Sequence, residues 1–148
     1  TDIRRTCPAP QSGILCSALN YGYAILYSKI LKSIAAAGLS PHVSYLHALD
    51  EQKPTLAFDL IEEFRAFIVD RAVISMINKN EPFEIKDGLL SAATRQNIAK
   101  NVNEKLFAHT EYRGEELKAQ DIIDKQAYVL KRAVTQNEKY KPFIGRFQ

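Results

Sequence analysis

Residues 55–78 read TLAFDLIEEFRAFIVDRAVISMIN. Apolar side chains return at three- and four-residue steps through the whole stretch. Thr55 follows Pro54 as a ready N-cap, and the polar run NKNEP comes directly after. This pattern predicts one long amphipathic helix from about Thr55 to Asn78, and three further segments of the chain share its character. Residues Ser12 to Ala37 place Leu15, Leu19, Leu26, Ile30, Ile34 and Ala37 at helical spacing, with Gly38 as the stop signal. At 1.5 Å per residue that helix would be roughly 40 Å long. A third is predicted from about Gly88 to His109 and a fourth from about Glu115 to Asn137.

Strand signals are weak. The segment HVSYLH before Ala48 could be extended, but it reads more naturally as a connector. The expected fold class is therefore all-α: a compact multi-helix domain of about four long helices plus short ones. One domain is expected over 1–148, with an irregular tail from about residue 138.

Composition agrees with a single core. The chain has 148 residues, 46% of them hydrophobic, enough for one compact domain. It has no run of eighteen apolar residues and no signal-peptide order at TDIRRTCPAP, so a soluble intracellular protein with no membrane association is expected. Cys7 and Cys16 have neither the number nor the spacing of a disulfide framework or zinc knuckle, and are expected as free thiols.

The net charge is only +3, but beyond Asp124 the residues Lys125, Lys131, Arg132, Lys139, Lys141 and Arg146 face a single acid, Glu138. Such a segment could neutralise phosphates, but a solvated helix face is the favoured reading of a charge run of this kind. Arg95, Lys100, Lys105 and Arg113 make a second, scattered basic series compatible with backbone contacts to DNA.

The helix 55–78 also carries acids. At about 100° per residue, Asp59, Glu62, Glu63 and Asp70 share one face, while Leu60, Ile61, Phe64, Phe67 and Ile68 take another. Arg65 and Arg71 project well off the acidic stripe, which is thus expected to have no basic partner within the helix. Geometry alone favours a solvated acidic face over a divalent-cation site or a docking site for a basic partner.

His47, just before this helix, could add a nitrogen donor. A mixed set with Asp59 and Glu62 would suit Mn²⁺, Mg²⁺ or Zn²⁺ better than Ca²⁺. Open positions on such an ion would suit phosphodiester chemistry. His42 in a turn and His109 at the end of the third helix have bland readings. Tyr21, Tyr23 and Tyr27 crowd one stretch of the first helix. They read as core more readily than as base-stacking platforms, Tyr27 being the one to test first.

Four ordered pieces go further: LNYGYAILYSKI, AAGLSPHVSYLH, LAFDLIEEFRAFIVDR, and QAYVLKRAV followed by YKPF. From about Arg4 to Phe143 the chain resembles the C-terminal helical domain of the CRISPR adaptation integrase family. That resemblance implies a metal-dependent DNA endonuclease and integrase of the prokaryotic cytoplasm, joining 3′-hydroxyl ends of spacer DNA to the CRISPR repeat by transesterification. It further implies Mg²⁺ or Mn²⁺, a small companion adaptation subunit, and a homodimer in the full-length parent.

Carried onto this sequence, the family's metal ligands fall on His47 and Glu62 with Asp59 one turn before. Glu63 is a bystander, and Arg65 either orients the acids or touches phosphate. DNA contacts are expected from Arg65, Tyr27, Arg95, Lys100, Lys105, Lys131 and Arg132.

The family's first metal-binding glutamate and its N-terminal β domain would lie upstream of these residues. The chain is accordingly expected to be a fragment with a weak ion site and little activity by itself. Ser44, Tyr45 and Cys16 depart from the family's usual glycine, phenylalanine and asparagine. The alternative is a non-catalytic helical module that binds DNA or protein.

Overall fold

The structure, a computed structural model, describes residues 13–40 and 55–145, the side chains of 55–59 excepted. Its first helix, α1, spans Gly13–Ala36 and buries Ala18, Leu26, Ile30 and Ile34 completely. Gly38, at φ 82°, ends it: the Gly38 N–H donates to Ala35 O and the Leu39 N–H to Ile34 O. This left-handed cap satisfies the carbonyls the helix would otherwise leave open.

The long stretch from Thr55 to Asn78 is helical along its length, as its periodicity predicts. It is built in three parts: α2 (Thr55–Phe64), a turn of π-helix (Arg65–Asp70) and α3 (Arg71–Asn78). The Arg71 N–H reaches back five residues to Ala66 O. The wider turn inserts an extra residue into the helical repeat, so faces computed on a regular α-helix are rotated beyond Phe64. α3 closes with Asn80 in the left-handed conformation and the Glu81 N–H on Met76 O.

Two antiparallel hairpins occupy places the periodicity assigns to helix starts. β1 (Ile85–Lys86) pairs with β2 (Leu89–Leu90) across Asp87-Gly88, and β3 (His109–Tyr112) pairs with β4 (Glu115–Lys118) across Arg113-Gly114. Both turn pairs have positive φ at each residue, the geometry of a tight two-residue hairpin loop. The third helix therefore begins later than expected. α4 runs Ala92–Phe107, capped by the Ser91 hydroxyl, which accepts from the Thr94 N–H at 3.1 Å. α5 runs Ala119–Gln136, and His109 lies on a strand instead of at a helix end.

The helices enclose one apolar core that includes Leu26, Ile30, Ile34, Phe64, Ile68, Met76, Ile98, Ile122 and Ile123. Gly22 brings α1 against the π turn: a Cβ there would stand 2.6 Å from Val69 Cγ1.

Residues 137–145, the described part of the segment beyond α5, have no regular structure and fold back onto α2. Phe143 stacks on Phe64 at 5.0 Å and meets Phe67 edge-on at 5.4 Å. HVSYLH lies outside the described residues. Cys16 corrects an expectation: it is disulfide-bonded, not free. Counting argues against a framework of several bridges, but one bridge needs only two cysteines.

Candidate functional site

Glu62 and Glu63 are neighbours in sequence and part company in space. Glu63 turns inward and is half-buried, receiving the Phe143 N–H and Gln126 Nε2, each at 3.1 Å, and the Tyr140 hydroxyl. Gln126 is fully buried. Its Nε2 also faces Tyr140 Oη and the Lys141 carbonyl at 3.2 Å, and its oxygen accepts from Tyr112 Oη at 2.7 Å. Burial and the Glu63 carboxylate both push the Tyr140 phenol far above its ordinary range. Glu63 thus ties the C-terminal segment to α2, and the YKPF stretch owes its place to packing.

Glu62 faces outward. Its Oε1 accepts from Arg65 Nη1 at 2.7 Å, one turn further on, at the start of the π turn. This corrects the expectation of an acidic stripe without an intrahelical partner. Two residues, Glu63 and Phe64, lie between the two backbone positions, and the long arginine side chain folds back across that gap.

The Arg65 guanidinium carbon lies 4.3 Å from the centroid of the Tyr23 ring, a cation–π distance. Burial by itself would lower the Arg65 pKa, but Glu62 and Tyr23 outweigh it and hold the guanidinium firmly charged. Tyr23, buried on α1, donates its hydroxyl to Asp70 Oδ1 at 2.5 Å. Its pKa is pushed up to about 12, first by burial and then by the Asp70 carboxylate. Glu62, Arg65, Tyr23 and Asp70 line one groove of about 550 Å³ together with Leu15 and Leu19 of α1 and Ile74 of α3.

Of the expected metal ligands, only the Glu62 side chain lies among the described residues. His47 lies outside them, and Asp59 is placed as backbone in α2. Among the described residues no group of three or more histidine, cysteine or acidic side chains could hold an ion.

The expected DNA contacts are not gathered on one surface. Arg65 lines the groove just described, and Lys105 lines an adjoining one. Arg95 and Lys100 are exposed on α4, while Tyr27 is half-buried against the core. Lys131 points its ammonium toward Gly38 at the end of α1, and Arg132 pairs with Glu138 at 3.5 Å. Lys79 carries no signal in the sequence, Tyr23 and Arg71 have no part in a site read from it, and Asp70 falls on the Glu62 face without its Tyr23 partner, because these contacts arise only in tertiary packing.

The pattern of the family described as "CRISPR associated protein Cas1" matches residues 5–104. The chain is 38% identical over 131 residues to the CRISPR-associated endonuclease Cas1 1 of Francisella tularensis subsp. novicida, covering 88% of this chain and 40% of that one. It is 33% identical over 129 residues to the CRISPR-associated endonuclease Cas1 of Hyperthermus butylicus, covering 86% and 39%. A casposase bound to integration product shares the fold with a TM-score of 0.75 at 32% identity, over 93% of this chain and 42% of that one.

The fold is that of the mostly helical domain found in Cas1 proteins, with two small hairpins. The chain belongs to the Cas1 family, and it spans about two-fifths of the length of the relatives it matches. Among the described residues no helix is long and apolar enough to cross a membrane.

Proposed function

We propose that the parent of this chain is a metal-dependent DNA endonuclease and integrase, and that this domain supplies His47, Glu62 and Asp59 to the ion site. The observation that carries the reading is Glu62: an exposed carboxylate on the lip of a groove, in a chain that aligns with Cas1 endonucleases and with a casposase bound to integration product.

The donor set suits a hard divalent ion. Glu62 keeps its carboxylate at the surface, and Arg65 engages Oε1, which fixes the orientation of the pair. Mg²⁺ or Mn²⁺ bound there would stabilise charge on a phosphodiester and activate the attacking hydroxyl. Arg65, held over Tyr23, orients Glu62 and offers its remaining N–H donors to a phosphate oxygen. Tyr23 and Asp70 keep that guanidinium in place from below.

The Glu62–Arg65 ion pair also favours a second reading. An acid already neutralised in this way could serve a non-catalytic DNA- or protein-binding module. Spacer integration by the full-length parent separates the two. Glu62→Ala or His47→Ala should abolish it, and retained integration by either variant would sink the enzyme reading. Independently, the His47 resonances of the parent should broaden in millimolar Mn²⁺, and unmoved signals would remove His47 from the ion site.

A further inference from the structure

Beyond Asp70 the same helical run opens a second groove, of about 570 Å³. It shares Ala66, Asp70 and Ile74 with the groove at Glu62, so the two form one trough along α2, the π turn and α3. Three cations converge on the second half. Arg71 and Lys79 come from the two ends of α3, and Lys105 comes from the last turn of α4, which packs against it. Among the described residues Asp70 is the only carboxylate in that lining, and it already accepts the Tyr23 hydroxyl. Among the described residues neither Lys79 nor Lys105 belongs to an ion pair.

This placement works against the free protein. Lys105 is half-buried, and its burial lowers the ammonium pKa; Arg71 and Lys79 lower it further, with Glu104 the opposing charge. Crowding a partly desolvated ammonium against two other cations costs free energy until an anion is seated among them. The floor beside the cations is apolar, with Ile74 about half exposed at 54%. A phosphodiester strand, which offers a sugar face between its charges, suits that floor better than a free anion.

We propose that Arg71, Lys79 and Lys105 form a backbone-phosphate site that anchors DNA flanking the phosphodiester presented to Glu62. The proposal rests on the DNA reading of the parent given above. Glu62 and Lys79 stand on one helical run, roughly 25 Å apart at 1.5 Å per residue. At 3.4 Å per step that is about seven base pairs of duplex. The anchored phosphate would therefore lie outside the reacting junction, and short substrates would miss it.

The test uses the full-length parent in EDTA, so that neither metal nor catalysis enters. Binding of a branched DNA with 12-base-pair arms is followed by fluorescence anisotropy across a salt series. Lys79→Gln/Lys105→Gln should reduce the slope of log K against log salt by about two, at about 0.9 per lost phosphate contact. With 4-base-pair arms the variant and the unaltered protein should bind alike. Lys79→Arg/Lys105→Arg should restore the slope, and unchanged thermal unfolding would set aside misfolding.

An unchanged slope overturns the proposal. So does an equal loss from Lys86→Gln, exposed on β1 and assigned to no site, which would indicate a diffuse field instead of a site. Inorganic phosphate that displaces the DNA at low millimolar concentration would mark a free-phosphate site and overturn it as well. If the slope falls by two while the parent fails to integrate spacer DNA, the anchor stands and the integrase reading fails. If integration proceeds and the slope is unaltered, the anchor alone fails.

Discussion

The Arg65 guanidinium carbon stands 4.3 Å from the centre of the Tyr23 ring, and the hydroxyl of that ring is spent on Asp70. An aromatic side chain from α1 thus supports the arginine that holds Glu62, with its own position fixed by a carboxylate at the end of the π turn. Tyr23→Phe keeps the ring and removes the bond to Asp70. Hydrogen bonds to charged groups contribute about 1.5–3 kcal/mol, so urea denaturation of the variant should show a stability loss in that range. Tyr23→Leu should lose more, because Arg65 also loses its platform. A Tyr23→Phe variant as stable as the unaltered chain would mean the bond contributes nothing.

The same pair should be visible in a tyrosine titration. In the folded chain Tyr23 ionises near pH 12, against an ordinary value of 10. Because its folded pKa is raised, the hydroxyl's contribution to stability is complete below pH 10. It fades as the pH climbs through 12. Absorbance of tyrosinate at alkaline pH should show a late-titrating group that Tyr23→Phe removes. Tyr140 should titrate later still, since burial and Glu63 raise it further.

Glu62 and Glu63 should separate activity from stability. Glu63→Ala takes the acceptor from the Phe143 N–H and the Tyr140 hydroxyl, while Gln126 Nε2 keeps the Lys141 carbonyl and Tyr140 Oη. Each unsatisfied buried group costs about 1–3 kcal/mol, so a loss of roughly 2 kcal/mol or more is expected in denaturant unfolding. Glu63→Gln, which keeps an acceptor oxygen, should cost less. Glu62→Gln removes an exposed ion pair and should change stability by no more than about 1 kcal/mol. Under the function proposed above, it should nonetheless abolish integration by the parent. Matching stability losses at the two positions would contradict the division.

How much of this was legible in the sequence depends on how local each signal is. The helix 55–78 was legible because periodicity, an N-cap and a polar stop agree over many residues. The hairpins at Asp87-Gly88 and Arg113-Gly114 carried a turn signal of two residues each, flanked by strands too short to show alternation, and neighbouring helical periodicity swallowed them.

The π turn leaves no compositional mark. Angular reasoning carried past Phe64 therefore could not place Asp70, and the split between Glu62 and Glu63, both in α2, comes from the tail that packs on Glu63 alone. Glu63 anchors the tail, Asp70 holds Tyr23 and Glu62 faces outward. Tyr23 was weighed with Tyr21 and Tyr27 as one crowd, because only tertiary packing distinguishes the ring that meets Arg65.

The π turn itself is pinned by close packing at Gly22, which supplies the last prediction. A Cβ at residue 22 would stand 2.6 Å from Val69 Cγ1, closer than real Cβ contacts allow, while its next neighbour, Val102 Cγ2, stands at 3.6 Å. Both valines are fully buried or nearly so, in the core between α1, the π turn and α4. Neither can swing into solvent to make room. Gly22→Ala also gains the better helix former, an advantage of about 1 kcal/mol in an unhindered helix interior. Overpacking costs typically about 1–3 kcal/mol, so the net outcome should be destabilising by up to about 2 kcal/mol.

Val69→Ala deletes the clashing methyl and leaves a small cavity, destabilising by its own mechanism. In the double variant the new methyl fills the space the valine vacated. The two losses should then be strongly non-additive, with the pair more stable than the sum of the singles by 0.5 kcal/mol or more in thermal or urea unfolding. Simple additivity would show that α1 and the π turn are not in the contact that sets Tyr23 over Asp70.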